Sequence, residues 1–329
     1  MNPLTRTLLI LGACASLCVV SVVIALSVGS VGLPIGETLA ALTGNGSDLS
    51  RQLVLELRLP RTLNALAVGA LLAVAGVYMQ VLLRNPLADP YILGISSGAA
   101  VGALSGVAAG VTLLLRQSFA LAGALLVMAL VYRFARSDRG FAPLRLLLTG
   151  VVIAAGLNAV ISLLLATSDD TSLRGMLFWM MGDLSLSTYY SQALIAAVAS
   201  VAIGVLMGRA LDVLALGSAQ AFVVGLSVSA TRRTVYVLAS VMTAVAVTAA
   251  GSIGFVGLVV PHAVRLVIGP GHRLLIPASA LIGGTLLIVA DTAARTIVAP
   301  RQLPVGALIA LIGVPFFLVL MRRASLPRT

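Results

Sequence analysis

The sequence contains no lysine: all 21 of its basic residues are arginine. A phosphate loop of the Gly-Lys-Ser/Thr kind needs that lysine on the phosphates. This chain therefore lacks such a loop, and any ATP that drives it is held by another chain. Charge of either sign is scarce: Asp, Glu, Lys and Arg make up 9% of the 329 residues, against about 25% in a soluble domain. Cysteine and histidine number two each. Cys14 and Cys18 share a helix face and read as small apolar residues. His262 and His272 have no second ligand at metal spacing, which favours structural roles. No Ser/His/Asp or Cys/His arrangement stands out, so the chain is not read as an enzyme.

What the sequence has is apolar length. It is 60% hydrophobic with a mean hydropathy of +1.13. A membrane span needs about 20 apolar residues. Spans are expected at about 8–29, 62–83, 92–110, 112–132, 144–166, 191–208, 234–251, 254–268, 274–294 and 305–321. The fold class is an all-α polytopic membrane protein of about ten transmembrane helices, a single transmembrane domain over 1–329. Leu11-Gly12-Ala13-Cys14 faintly resembles a lipoprotein cleavage site, but the apolar run continues to Val28. That is too long for a secretory signal, so it is read as an uncleaved first helix.

The net charge of +11 follows from the positive-inside rule rather than from nucleic acid. With both termini cytoplasmic, the inner loops and ends carry Arg6, Arg84, Arg133, Arg136, Arg139, Arg145, Arg209, Arg232, Arg233, Arg265, Arg273, Arg322, Arg323 and Arg328. Arg51, Arg58, Arg61, Arg116, Arg174, Arg295 and Arg301 fall outside. Most acids fall outside too: Glu37, Asp48, Glu56, Asp169, Asp170 and Asp183.

Three connections exceed a simple turn: outer loops at about 30–61 and 167–190, and an inner one at about 209–233. The inner segment reads as two short helices around Gly217 and Gly225, a knuckle that a mechanical partner would grip. Pro86 and Pro90 break the chain after the second span, since neither has a backbone N–H and each bars its predecessor from helix. Arg84, Asn85 and Asp89 gather at that break, which is expected to form a fixed elbow at the membrane edge. Gly94, Gly98, Gly102, Gly106 and Gly110 recur every four residues, a ridge that lets another helix pack closely. Gly76, Pro86, Ala88 and Gly94 recur at an offset of 175 as Gly251, Pro261, Ala263 and Gly269, a weak sign of an inverted repeat. Asp291 is the acid expected inside the membrane, with Arg295 one helical turn on.

Several motifs together carry a resemblance. They are Arg58-Leu-Pro-Arg61, then Gly69-Ala70, Gly76 and Gln80, Arg84-Asn-Pro-Leu-Ala-Asp-Pro90, and Leu93-Gly-Ile-Ser-Ser-Gly98. Further along stand Gly254-Phe-Val-Gly-Leu-Val-Val-Pro-His262 with Arg265, Asp291 with Arg295, Leu303-Pro-Val-Gly306 and Gly313-Val-Pro-Phe316. From about residue 55 onward the chain resembles the BtuC/FecCD-type permeases of type II ABC importers for vitamin B12, haem and iron-siderophores.

The resemblance implies a bacterial cytoplasmic (inner) membrane location and a second copy of the permease as partner. It also implies two ATP-binding cassette subunits that hold ATP and Mg, an external substrate-binding protein, and membrane lipid around the pair; this chain would bind no cofactor of its own. Asn85 and Leu87 would belong to the cytoplasmic gate. Leu216, Gly217, Gly225, Arg232 and Arg233 would belong to the ATPase-coupling segment. Arg58, Arg61 and Arg295 would pair with acids of the binding protein. Ser218 and Ala219 stand where acids usually follow Leu-Gly, and Gln302 stands where Glu usually precedes Leu-Pro. By family breadth the favoured cargo is an iron-siderophore, with haem and cobalamin close behind. The competing reading is an ion-coupled secondary carrier, for which Asp291 is the one clear buried acid.

Overall fold

The computed structural model describes residues 3–29, 31–137, 140–141, 143–185 and 190–324. Arg139 and Arg328 lie outside the described residues. Helices in chain order are α1 (Pro3–Ser27), α2 (Ile35–Leu42), α3 (Asp48–Arg51), α4 (Leu59–Leu83), α5 (Ile95–Ala108), α6 (Leu113–Ala135) and α7 (Pro143–Ala166). They continue as α8 (Asp170–Met180), α9 (Tyr190–Leu216), α10 (Ser218–Val223), α11 (Val228–Ala250), α12 (Val256–Ile268), α13 (His272–Thr296) and α14 (Val305–Ala324). A two-residue antiparallel pairing of Arg136–Ser137 with Gly140–Phe141 joins α6 to α7. Among the described residues seven helices are long and apolar enough to cross a membrane, and Ile95–Ala108, Val256–Ile268 and Val305–Val319 are shorter apolar helices. These account for the ten expected spans, three of them short.

The core is built around α4, which packs against α13, α11, α9 and α12. Its sequence, LNALAVGALLAVAGVYMQVLL, is apolar on every face, as a helix without a solvent face must be. Lipid tails are as apolar as leucine, so close dispersion contact and interhelical hydrogen bonds hold such helices together. Gly69 faces Gly283 and Gly284 of α13, and Gly76 faces Gly257 of α12; a Cβ at either would overlap a partner carbonyl. The polar side chains of α4 bond across to its neighbours: Asn64 Nδ2 donates to the Ala249 carbonyl at 3.1 Å and Gln80 Nε2 to that of Leu258 at 3.3 Å.

Several expectations change in detail. The 30–61 connection is mostly helical: α3 runs through a π-helical segment, Gln52–Arg58, straight into α4. Pro60 at the start of α4 removes an N–H and crowds the preceding turn, and a widened turn accommodates both effects. The inner 209–233 connection holds one short helix, α10, rather than two, because α9 continues unbroken through Leu216. The four offset pairs occupy unlike places. Gly76 lies inside α4 while Gly251 ends α11, and Pro86 lies in a loop while Pro261 lies inside α12. That offset is therefore not a structural repeat.

Candidate transport site: two helix ends and a break between them

The bundle has two distinct ends. One gathers the start of α4, the ends of α1 and α13 and the start of α14. At its centre Asp291, 1% exposed, meets two arginines. Arg61 donates from Nε to both carboxylate oxygens at 3.1 Å and from Nη2 to Oδ1 at 2.8 Å. Its Nη1 donates to Gln302 Oε1 at 2.9 Å. Arg295 Nε stands 3.0 Å from Asp291 Oδ2 as an ion pair, although it is misaligned for a hydrogen bond. Arg58 is buried and turned the other way. Its Nη1 donates to the carbonyls of Leu26 at 2.7 Å and Ser27 at 3.0 Å, and its Nη2 to that of Val31. The Leu26 and Ser27 carbonyls belong to the end of α1, so Arg58 caps that helix. The structure thus places Arg58, Arg61 and Arg295 at one end, all three engaged within the chain. Arg61 is the member beside the Gln302 rim.

The other end gathers the end of α4, the start of α13, α10 and the start of α11. α4 stops at Arg84, a left-handed residue with φ +51°. Arg84 N–H bonds to the Val81 carbonyl and Asn85 N–H to that of Gln80, the pair of bonds that closes a helix through a left-handed residue. Asn85 Oδ1 accepts from the Leu87 N–H at 2.9 Å. Asn85 is exposed and Leu87 half-buried. The Arg84 guanidinium lies against Gly217, where a Cβ would stand 3.1 Å from Nη2. Gly217, with φ +126°, is the hinge between α9 and α10. Arg232 Nη2 donates to Ser218 Oγ at 2.7 Å. The turn that follows α4 and the start of α10 are therefore in contact through Arg84 and Gly217. Gly225, φ +81°, ends the knuckle, and Arg233 is exposed in the first turns of α11. α10 and its flanks present Leu216, Phe222, Val223 and Val224, between 67% and 83% exposed.

Between the ends the backbone is interrupted. α12 has 13 residues, about 20 Å at 1.5 Å per residue, against a hydrocarbon thickness of about 30 Å. Residues 251–255 before it are not helical, and Phe255 is left-handed at φ +68°. The break lies within the span of α4, since Ala249 is bonded to Asn64 and Leu258 to Gln80. Irregular backbone at such depth persists only where protein or water surrounds it. The Pro90–Leu93 turn and the start of α5 supply that surround: Tyr91 Oη accepts from the Ile253 N–H at 3.1 Å, and Ser96 Oγ lies 2.9 Å from Ser252 Oγ. The elbow is not confined to the membrane edge; it reaches inward to brace the break.

The glycines of α5 divide. Gly94 sits at its start, left-handed at φ +74°, against Gly150 and Ala154 of α7. Gly98, Gly102 and Gly106 face α6 at Gly123 and Val127, at Phe119 and at Arg116. At the N-cap of α8, outside the spans, the Thr171 and Ser172 hydroxyls hold the Asp169 carboxyl below its ordinary range.

Two pairings escaped sequence reasoning because they join distant segments. One is Arg61 with Asp291. The other is Asp212 of α9, which accepts at Oδ1 from the His272 N–H at 3.0 Å and meets its ring Nδ1 at 2.7 Å. His272 in this way anchors the start of α13 to α9. His262 is buried, and no group of three or more metal-ligating side chains occurs among the described residues.

A bundle with helices broken at mid-depth, a charge clasp at one end and a projecting apolar knuckle at the other defines the class of polytopic transport proteins. The chain belongs to the FecCD transport family, whose sequence profile matches residues 17–323. It is a BtuC/FecCD-type ABC importer permease, a transport subunit whose ATP is hydrolysed by a separate subunit. It is 44% identical over 278 residues to the cobalamin import system permease of Halobacterium salinarum, covering 84% of this chain and 74% of that one. It is 41% identical to the hemin transport system permease of Yersinia pestis, covering 84% and 85%. Against the vitamin B12 import system permease of Escherichia coli the identity is 38%, covering 83% and 84%. A solved structure described as an inward-facing conformation of a candidate metal-chelate type ABC transporter superposes with TM-score 0.83 at 31% identity, covering 96% and 99%. PsaBC of Streptococcus pneumoniae, at TM-score 0.57 and 15% identity over 87% and 95%, shares the fold.

Proposed function

We propose that this chain is the membrane-spanning half of an ATP-driven importer that moves a metal chelate across the cytoplasmic membrane by alternating access. The observation that carries the reading is α10. Its Phe222 and Val223, 78% and 83% exposed, project beside the Arg84 end, and an exposed apolar patch of this kind marks a partner surface. The partner is the ATPase, which places the Arg84 end and both termini in the cytoplasm. Two permease copies form the path, and two ATPases hold ATP and Mg. The contact of Gly217 with Arg84 links α10 to the gate loop of Asn85 and Leu87, so that ATPase movement reaches the gate.

The external binding protein docks at the Arg61 end. Its acids compete with Asp291 for Arg61 and Arg295, because a guanidinium pairs as well with an external carboxylate as with an internal one. Arg58 acts from behind by fixing α1. The relatives at 44% and 41% identity are cobalamin and hemin permeases, which moves a tetrapyrrole chelate ahead of an iron-siderophore as cargo. The secondary-carrier reading is disfavoured by Asp291: two arginines hold it, so it does not supply a free proton relay.

Proteoliposomes containing the chain with its ATPase and binding protein test the function. Labelled cobalamin, haem and ferric siderophore are offered with and without internal ATP. ATP-dependent accumulation of one of them is expected. Accumulation driven by a proton gradient without ATP overturns the proposal.

A further inference from the structure

Two adjoining cavities at the Arg61 end have no part in the function described above. The first, about 380 Å³, lies between α5, α6 and α8 and is lined by Arg116, Gln117, Trp179 and Asp183 among others. The second, about 220 Å³, is lined by Leu114, Gln117, Leu121 and neighbours and is far more apolar. Gln117 stands in the wall between them. It is 6% exposed, and neither its amide nitrogen nor its amide oxygen has a hydrogen-bond partner among the described residues. A buried amide left so forfeits both of its bonds, so a molecule with an acceptor and a donor fits beside it.

The charges around the first cavity narrow its chemistry. The Arg116 side chain donates from Nε to the Val111 carbonyl at 2.8 Å. Asp183 accepts from the Ser185 N–H through Oδ1 at 2.8 Å. One cation and one anion on the same cavity suit a ligand that carries both signs. An apolar groove reached past the same amide suits a ligand with a hydrocarbon tail. The setting is the end of a transmembrane bundle, where headgroups lie.

We propose that these cavities hold a zwitterionic phospholipid of the phosphoethanolamine type. Its phosphate pairs with Arg116 and its ammonium with Asp183. Gln117 bonds the headgroup at the neck, and one acyl chain follows Leu114 and Leu121. An ammonium with N–H donors is required, because the trimethylated headgroup of phosphatidylcholine offers Asp183 no hydrogen bond.

The full chain, placed in nanodiscs of equal phosphatidylethanolamine, phosphatidylcholine and phosphatidylglycerol, is released and weighed by native mass spectrometry. Phosphatidylethanolamine is expected to be retained over phosphatidylcholine by roughly tenfold, as one charge-assisted hydrogen bond implies. Arg116→Gln and Asp183→Asn each bring that ratio close to one. Equal retention by the unaltered protein overturns the proposal without reference to any variant. Preferred retention of phosphatidylglycerol overturns it in favour of a plain anion site. Displacement of the lipid by soluble O-phosphoethanolamine at equal concentration overturns the role of the acyl groove and assigns the site to a soluble headgroup. A preference that survives both substitutions places the lipid elsewhere.

Discussion

Replacing Asp291 tests whether the Arg61 end is held by a desolvated charge clasp. Asp291→Ala removes three hydrogen bonds from Arg61, the shortest at 2.8 Å, and the 3.0 Å contact with Arg295. It leaves two guanidiniums, 13% and 10% exposed, without a counter-charge. Removing one partner of a buried pair costs about 3–5 kcal/mol, whereas an exposed pair is worth about 0–1 kcal/mol. Arg61 keeps its bond to Gln302, so the expected loss is about 3 kcal/mol. Asp291→Asn keeps an acceptor and loses the charge, and is expected to cost about 2 kcal/mol.

Arg61→Ala alone leaves Asp291 paired with Arg295 and is expected to cost about 1–2 kcal/mol. Arg61→Ala with Arg295→Ala leaves a bare buried carboxylate and costs more than the sum of the two. The assay is denaturant unfolding of the purified chain in detergent, at low and high salt. A loss under 0.5 kcal/mol for Asp291→Ala, or a loss that vanishes at about 1 M salt, refutes the reasoning, because it shows that water already solvates the clasp.

Other substitutions follow from the same geometry. Gly76→Val drives a side chain into the Gly257 carbonyl and is expected to abolish folded protein on size exclusion, while Gly12→Val, with nothing within 4 Å, leaves yield unchanged. Asp212→Ala frees the first N–H of α13 and the buried His272 ring, at a cost of about 2 kcal/mol in the same unfolding assay; Asp212→Asn, which can still accept from that N–H, is expected to recover about half. Phe222→Ser with Val223→Ser leaves the permease folded but removes the ATPase from the purified complex; co-purification at the unaltered ratio would show that α10 is not the contact. Tyr91→Phe deletes the acceptor for the Ile253 N–H at 3.1 Å and is expected to loosen the 251–255 break, read as faster amide exchange there than in α4.

Much of this was legible in the residues. Long apolar runs gave the spans, since burial in lipid demands about 20 such residues whatever their neighbours. Pro86 and Pro90 gave the elbow, because a missing N–H acts locally. The pairing of Asp291 with Arg295 followed from their spacing of one turn. The break before α12 was less legible: the two apolar runs nearly join, and only contact with Tyr91 and Ser96 shows that the unwound residues are supported at depth.

The sequence by itself determined the class of the protein and the approximate place of its apolar helices. These depend on composition, periodicity and the covalent chemistry of glycine and proline, all of which act within a few residues. The tertiary structure alone decided which charges meet. Arg61 and Asp291 are 230 positions apart, and Asp212 and His272 are 60 apart. Arg58, with the same side chain as Arg61 three residues away, turns instead to the carbonyls at the end of α1. In a low-dielectric interior a charge takes whichever partner the packing of helices brings within reach, and that packing is set by close approaches such as Gly69 on Gly283, not by the charges themselves.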